Sequence, residues 1–370
     1  MSEKIFIGIG AGPIQTGIYV AGASAGNFDR IVLADVDLAL VDAVRKHRSL
    51  TINTACKDSV RTDTYQNIEI YNPNVPEDAE ILTDLASKAL AINTALPATK
   101  FYQFSAPWLR AGFERNPDGV RYVYTSENST TAAAQLEEKI AEKFPNTYYL
   151  DTVIGKMSKV FVAGDNDLPT LVPGYGKGHL VEEFCTIYTS SAPGIENVGI
   201  KGLYPCADLV PFEEAKLYGH NATHMVMAVL ARQKGCRYMS EAAKYPEIIE
   251  TTRQALLQEC GPALCKKFAG QDDYFKMENY AAWAEELVVR MVSPVLADAV
   301  DRVARDLDRK LSWNDRLIGA IRLCQSQGVD CPRLRKAAAL AARFYALDTI
   351  GAEWPAEEGG KALIDLLGKE

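Results

Sequence analysis

The fold class can be inferred from one glycine-rich segment near the N-terminus, Ile5-Phe6-Ile7-Gly8-Ile9-Gly10-Ala11-Gly12-Pro13-Ile14-Gln15-Thr16-Gly17. It starts as an apolar strand, passes through a glycine-rich turn and continues as a helix. Gly10 would permit the tight turn. Gly12 would let the backbone approach a pyrophosphate at the helix N-terminus, where N–H groups and the helix dipole favour anions. The pattern predicts a dinucleotide loop that includes Pro13 and Ile14, although Gln15 stands where the fingerprint has its third glycine.

The next candidate strand ends in an acidic residue, Asp35. A carboxylate at this distance from the glycine loop would accept hydrogen bonds from an adenosine ribose. Asp37 follows two residues later without an arginine beside it, so a ribose phosphate would be repelled and NAD is predicted rather than NADP. Thr94 and Ala95, which follow a later candidate strand, are predicted to complete the cofactor site. Asp35 could instead cap the helix after it.

Length and composition are those of a two-domain globular protein. The chain has 370 residues, 48% of them hydrophobic and 24% charged, with a formal net charge of -8. Nucleic acid is therefore an unexpected partner, since nucleic-acid binders usually present a basic face. No apolar run is long enough for a membrane span, and the N-terminal run lacks the features of a signal peptide, so we expect a cytoplasmic location without membrane association.

Metal-ligand patterns are missing from the sequence. The eight cysteines are scattered without the short spacing of zinc sites, and we expect reduced thiols. His220 and His224 are four residues apart, but the glutamate of a zinc-protease helix does not follow His220. No metal is expected.

Hydrophobic patterns divide the chain into two parts, and the fold class predicted is α/β: an N-terminal Rossmann-type doubly wound parallel sheet plus a mainly α-helical C-terminal domain. We expect the NAD-binding domain over residues 1–190 and the helical catalytic domain over 206–370, with the turn-rich stretch 169–205 as the connection. Candidate strands are 4–10, 29–35, 67–71, 89–93, 101–104 and 121–124, and candidate helices are 37–46, 131–144, 213–233, 245–259, 277–292, 296–311, 313–326 and 333–349.

The helix that opens the second part carries polar residues on one face. At about 100° per residue, Asn221 lies about 140°, His224 about 80° and His220 about 40° from Lys216. Oxidation of an alcohol needs a base for the hydroxyl proton and hydrogen-bond donors for the alkoxide. A lysine can be that base when desolvation or a nearby positive charge lowers its pKa. A solvated helix face, with Lys216 paired to a neighbouring glutamate, would explain the same residues.

The pattern of lysine, four residues, asparagine, two residues and histidine resembles the polyol-specific long-chain dehydrogenase family, in particular its mannitol-1-phosphate 5-dehydrogenase branch. The resemblance extends over nearly the whole chain, in the segments 34–37, 41–47, 126–128, 309–312 and 315–318. It implies metal-independent, NAD-dependent oxidation of a sugar alcohol or its phosphate to the ketose by a monomer or homodimer. It also implies that Lys216 is the base, that Asn221 and Asn128 are oxyanion donors, and that His224 positions the polyol.

Two segments depart from the family pattern. Gly155 and Lys156 replace the aspartate and arginine of a Val-Asp-Arg element, and the proline expected near Arg305 is absent. Lys156, His220, Arg305 and Lys310 are the candidate substrate ligands, because charged donors bind substrate oxygens or a phosphate.

Three other functions agree with parts of the sequence: a dehydrogenase of a sugar acid or a free polyol, an S-adenosylmethionine methyltransferase, and a non-catalytic NAD-binding regulator. The methyltransferase shares the glycine loop and the acid after the second strand, but it leaves Lys216, Asn221 and His224 unexplained.

Overall fold

The computed structural model describes residues 3–350 and contains two compact units, which are divided in the chain between Leu209 and Val210. The strands, all in the first unit, are β1 (Ile5–Ile9), β2 (Arg30–Ala34), β3 (Ser49–Ala55), β4 (Val60–Gln66), β5 (Ile68–Tyr71), β6 (Ala91–Thr94), β7 (Arg121–Thr125), β8 (Thr147–Val153), β9 (Ser158–Val162), β10 (Lys177–Glu182), β11 (Ile187–Ser190) and β12 (Leu203–Cys206).

The helices of the first unit are α1 (Ala21–Ser24), α2 (Leu38–His47), α3 (Pro76–Lys88), α4 (Tyr102–Arg115) and α5 (Ala132–Ile140). Those of the second are α6 (Val210–Glu214), α7 (Ala222–Gln233), α8 (Pro246–Gln254), α9 (Gly261–Lys267), α10 (Met277–Met291), α11 (Val300–Ala304), α12 (Leu307–Lys310), α13 (Arg316–Gln327) and α14 (Pro332–Ile350). Three π-helical segments join neighbouring helical stretches: Gln15–Val20, Ala215–Asn221 and Ala255–Cys260.

The main sheet of the first unit has the strand order β5-β2-β1-β6-β7-β8-β11-β12, and its first six strands are parallel. This is the doubly wound order of dinucleotide-binding folds, in which the chain reverses direction between β1 and β6. Buried apolar side chains cover both faces of the sheet. The fold class predicted from the sequence is confirmed, and ligands of such sheets bind beyond the carboxyl ends of β1 and β6.

The stretch 169–205, predicted as a connection, instead carries β10, β11 and β12. β11 pairs with β8, and β12 pairs with β11, so β12 extends the main sheet beyond residue 190, which was the predicted end of the first domain. β10 belongs to a second sheet with the order β4-β3-β10-β9. Buried polar side chains, among them Asn53 and His179, interrupt the apolar pattern of this sheet. Its strands were missed for that reason.

Residues 101–104, predicted as a strand, are helical instead: Phe101 ends a 3-10 turn, and α4 begins at Tyr102. Tyr102, Ala106, Leu109 and Phe113 are buried at helical spacing. The aromatic residues of this short run favoured a strand, but the period over the next three turns is that of a helix.

The prediction of one long helix over 296–311 is also wrong. Two short helices, α11 and α12, occupy its place, and Asp306 between them has a left-handed backbone with φ of 56°. A continuous helix cannot pass through that conformation.

Candidate active site

The glycine loop has the conformation that its sequence requires. Gly10 has φ of 81°, and a Cβ there would lie 2.9 Å from the carbonyl oxygen of Ala95. A Cβ on Gly12 would meet nothing within 4 Å, so the backbone of this residue borders open space. Gly12 also begins the helix, since its carbonyl accepts a hydrogen bond from the Thr16 N–H at 3.0 Å. A pyrophosphate could therefore approach the loop closely.

Asp35 lies at the carboxyl end of β2 and binds the loop. Its Oδ2 accepts a hydrogen bond from the Ala11 N–H at 2.6 Å, and its Oδ1 accepts one from the Asp37 N–H at 2.9 Å. The helix cap is Asp37, whose Oδ1 accepts from the N–H groups of Ala39 and Leu40. The interpretation of Asp35 as an N-cap is therefore wrong. Because each carboxylate oxygen can accept a second hydrogen bond, Asp35 retains capacity for ribose hydroxyls.

A cleft of about 650 Å³ lies beyond the carboxyl ends of these strands. Of the seven residues predicted to bind the cofactor, six line it: Gly10, Gly12, Pro13, Ile14, Asp35 and Ala95. Thr94 does not line it, because its side chain is fully buried and its hydroxyl donates to Glu127. Other lining residues were not selected by sequence reasoning: Val36, Pro73 and Asn74, and a wall formed by Leu96, Pro97, Phe101, Phe104, Ser105 and Trp108.

Glu127 holds that wall together. Its carboxylate accepts hydrogen bonds from the Thr94 hydroxyl at 2.9 Å and the Leu96 N–H at 2.8 Å, and also from the hydroxyl of Tyr102. Burial raises the pKa of the Glu127 carboxyl against the effect of these bonds. The residue thus connects the ends of β6 and β7 to the start of α4. In the sequence, this role of Glu127 was indicated only by the resemblance of the segment Ser126-Glu127-Asn128 to the family pattern.

The other predicted site residues of the first unit have contrasting environments. Asn128 is exposed in the turn after β7. Lys156 is buried, and its ammonium group donates to the carbonyl oxygen of Phe184 at 2.9 Å.

In the second unit Lys216, His220 and Asn221 lie on the π-helical segment Ala215–Asn221 rather than on a regular α-helix. A π-helix joins residue i to residue i+5, so Lys216 and Asn221 are one hydrogen-bonded turn apart. The α-helical angle of about 140° between them therefore does not apply. Segments of this kind are rare and frequently occur at functional sites.

The amine of Lys216 has the electrostatic environment of a base. Lys216 is only partly accessible to solvent, and its pKa is lowered to about 8 by burial and by the positive charge of Arg316, against the charge of Glu213. Glu214, the other glutamate next to Lys216 in the sequence, accepts hydrogen bonds from the Lys267 ammonium group at 2.7 Å. Lys216 is thus poised to lose its proton near neutral pH.

Two buried histidines follow the lysine. The rings of His220 and His224 are 5.8 Å apart between centroids. Burial holds the pKa of His220 well below its usual value, and it lowers that of His224 to about 4 although the carboxylate of Asp298 opposes the shift. The Nε2 atom of His224 is 3.6 Å from Asp298 Oδ2 and has no hydrogen-bond partner within residues 3–350. Both rings are therefore neutral at neutral pH, and His224 can bind a polar ligand.

The candidate substrate ligands Arg305, which follows α11, and Lys310, the last residue of α12, differ in exposure. The side chain of Arg305 is 68% exposed and lies 3.6 Å from Asp306. Lys310 is buried, donates to the carbonyl oxygen of Val303 at 2.8 Å, and has its pKa lowered to about 8 by burial and by Arg316. Arg316 thus acts on both lysines, and sequence reasoning had not selected it.

All eight cysteines are free thiols. In the described part of the chain no cluster of three or more potential ligands could hold a metal ion. Within the same residues, no helix has both the length and the hydropathy that crossing a bilayer requires.

Comparison with known proteins gives consistent matches. The model of the mannitol dehydrogenase C-terminal domain matches residues 208–358. Mannitol-1-phosphate 5-dehydrogenase of Halalkalibacterium halodurans is 29% identical over 320 residues, which cover 84% of this chain and 80% of the relative. The enzyme of that name from Enterococcus faecalis is 24% identical over 369 residues, 98% of this chain and 90% of the relative.

Two solved structures share the fold. Mannitol 2-dehydrogenase of Pseudomonas fluorescens, in a ternary complex with NAD and D-mannitol, is similar with a TM-score of 0.67 and 15% identity, over 100% of this chain and 85% of that one. A D-sorbitol dehydrogenase in substrate-free form is similar with a TM-score of 0.73 and 13% identity, over 100% and 86% of the two chains. At these identities the structures support the fold alone.

Proposed function

Since the chain belongs to the mannitol dehydrogenase family, we propose that it is an NAD-dependent dehydrogenase that oxidises a sugar alcohol or a sugar-alcohol phosphate to the ketose. The observation that carries the proposal is the environment of Lys216: a partly buried amine, with a pKa lowered to about 8, one π-helical turn from an amide and close to a buried histidine pair. Neither a methyltransferase nor a binding regulator requires such a group.

The residues of the first unit suit a dinucleotide. Gly10 and Gly12 leave room for the pyrophosphate, the N-terminus of the following helix favours its charge, and Asp35 can accept hydrogen bonds from the ribose. When bound, NAD would accept the hydride that leaves the carbon atom of the alcohol.

We propose NAD rather than NADP, because the Asp35 carboxylate lines the cleft at the end of β2 and a second carboxylate, Asp37, follows two residues later. A nearby cation, the Lys177 ammonium group, lies 3.6 Å from Asp37 Oδ2, so this carboxylate already balances its charge. A ribose phosphate would meet net negative charge there.

The residues of the second unit provide the proton chemistry. In the proposed reaction, neutral Lys216 takes the hydroxyl proton as hydride leaves the carbon. The Asn221 amide donates a hydrogen bond to the oxygen atom, where negative charge develops. In the first unit, Asn128 is the residue to which the family resemblance assigns the role of a second donor. His224 offers its unpaired Nε2 to another hydroxyl of the polyol. In the reverse direction, the Lys216 ammonium returns the proton to the ketose oxygen.

The relatives named mannitol-1-phosphate 5-dehydrogenase favour a hexitol phosphate as the substrate. A sugar acid or a free polyol is the alternative, since Gly155 and Lys156 replace two residues of the family pattern.

To test the proposal, the protein is mixed with NAD or NADP and with polyols, polyol phosphates or sugar acids, and the absorbance of the reduced cofactor is recorded. Lys216→Ala should lower kcat by about 100- to 10,000-fold, the usual contribution of a general base, and should leave NADH binding intact. Lys244→Ala is the matched control, because this lysine is on the surface and pairs with Glu241. Near-normal turnover by the Lys216 variant would remove the base assignment. Absence of NAD reduction with every alcohol would remove the dehydrogenase.

A further inference from the structure

Several cationic side chains of the second unit lie on or near the helices that carry the predicted substrate ligands, and most are already engaged. Arg302 donates through two nitrogen atoms to both carboxylate oxygens of Asp298. Arg305 is exposed and close to Asp306, and Lys310 is held by the carbonyl oxygen of Val303. Arg302 and Lys310 are therefore held by protein acceptors, and the guanidinium of Arg305 lies in solvent, where its attraction for an anion is weaker.

Arg316 is different. It is the first residue of α13, and its side chain is only 13% exposed. Its Nε donates to Asp315 Oδ1 at 2.8 Å, while Arg309 donates to the other oxygen of the same carboxylate at 2.9 Å. One carboxylate is thus shared by two guanidinium groups. The Nη atoms of Arg316 make no hydrogen bond to any residue from 3 to 350, so one edge of this group is available.

Packing brings the start of α13 to the segment that carries Lys216. A Cβ on Gly319, one turn after Arg316, would lie 2.3 Å from the Tyr218 ring, so only glycine permits this approach. The Tyr218 hydroxyl donates to the carbonyl oxygen of Asn314 at 3.4 Å. The charge of Arg316 accordingly lowers the pKa values of Lys216, His220, His224 and Lys310.

We propose that the Nη edge of Arg316 binds the phosphate group of a phosphorylated polyol and makes the chain selective for phosphate esters over free polyols. This inference rests on the proposed function and deepens it. A guanidinium binds phosphate through two parallel hydrogen bonds, which are stronger than bonds between neutral groups. Arg316 shares one carboxylate with Arg309, and its positive charge also acts on Lys216 and Lys310. A bound anion would balance part of this positive charge.

The experiment compares kcat/KM for mannitol 1-phosphate and mannitol in the wild type and in Arg316→Gln. Hydrogen bonds to a charged group contribute about 1.5–3 kcal/mol, so the variant should lose about 10- to 150-fold with the phosphate ester, mainly through a higher KM. The change in the Lys216 pKa affects both substrates alike and cancels in their ratio. The ratio of the two kcat/KM values should therefore fall by about the same factor.

Arg322→Gln is the matched control. Arg322 is on the same helix, and its guanidinium lies 4.0 Å over the Trp313 ring and donates to Asn314 Oδ1 at 2.8 Å. The control removes the same charge and should leave the substrate ratio unchanged. Arg316→Lys keeps the charge but loses the paired donors. If Arg316→Gln does not fold, the ratio of the two kcat/KM values is measured in Arg316→Lys instead. We expect a reduced ratio for it as well.

Inorganic phosphate provides a test that does not depend on turnover. It should bind to the wild type in calorimetry, and Arg316→Gln should bind it more weakly. An unchanged substrate ratio in the folded variants, or equal phosphate binding by wild type and variant, would overturn the role of Arg316. A wild type that prefers the free polyol would overturn phosphate selectivity and leave the dehydrogenase intact. If no alcohol reduces NAD, the proposed function fails, while calorimetry still decides the anion site.

Discussion

The pH dependence of polyol oxidation tests the role of Lys216 most directly. The base must be neutral to accept a proton, and burial together with Arg316 lowers its pKa from 10.5 to about 8. With that pKa, about 10% of the enzyme has a neutral Lys216 at pH 7 and about 90% at pH 9. We expect kcat/KM for oxidation to rise about tenfold between these two values and then to level off.

The two charges that act on Lys216 give opposite shifts, which makes the test specific. Arg316→Gln removes a positive charge that lowers the pKa, so the rising limb should move to higher pH. Glu213→Gln removes a negative charge that raises the pKa, so the limb should move to lower pH. A histidine base would give a limb at lower pH, because burial lowers the pKa values of both His220 and His224.

The assay measures kcat/KM for the best polyol substrate at saturating NAD from roughly pH 6 to pH 10, in buffers of constant ionic strength. Deuterium at the reacting carbon should slow the reaction, which verifies that hydride transfer limits the rate. A limb near 10.5, or a profile that neither variant moves, would refute the assignment of Lys216 as a base of lowered pKa.

Three substitutions in the first unit test the cofactor cleft and the helix that follows β2. Gly10→Ala places a side chain at φ of 81° and 2.9 Å from the Ala95 carbonyl oxygen; we expect a loss of about 1–2 kcal/mol in urea unfolding and weaker NADH binding in a fluorescence titration. Asp37→Ala removes the cap of α2 and should cost about 1 kcal/mol of unfolding free energy, with α2 fraying first in hydrogen exchange. Glu127→Gln weakens the acceptor for Leu96 and Tyr102; we expect a higher Kd for NADH by calorimetry, and an unchanged Kd would contradict its role in the cleft wall.

Local motifs were the part of the site that the sequence could predict. The glycine loop and Asp35 require particular residue types at fixed spacing, and their places at the ends of β1 and β2 followed from that. Thr94 was misplaced because adjacent residues on a strand point to opposite faces, and only Ala95 reaches the cleft. The wall formed by Phe101 and Phe104 was missed because a short aromatic run was interpreted as a strand.

Features that depend on distant partners could not be predicted. The role of Glu127 needs hydrogen bonds from β6 and α4, and that of Arg316 needs the packing of Gly319 against Tyr218. The second sheet was missed because its buried polar residues are satisfied across strands. For example, the Asn53 amide donates to the carbonyl oxygens of Pro169 and His179.

The segment Ala215–Asn221 contains one residue more than an α-helical path of the same number of turns would need. On a regular α-helix, five positions of separation would turn the Asn221 amide about 140° away from the Lys216 amine. The wider π-helical turn takes up the surplus residue, so the two groups follow one another along the same side while the backbone continues without a break into α7. Local overwinding or straightening of this single turn would therefore change which polar groups are neighbours without altering the order of the residues.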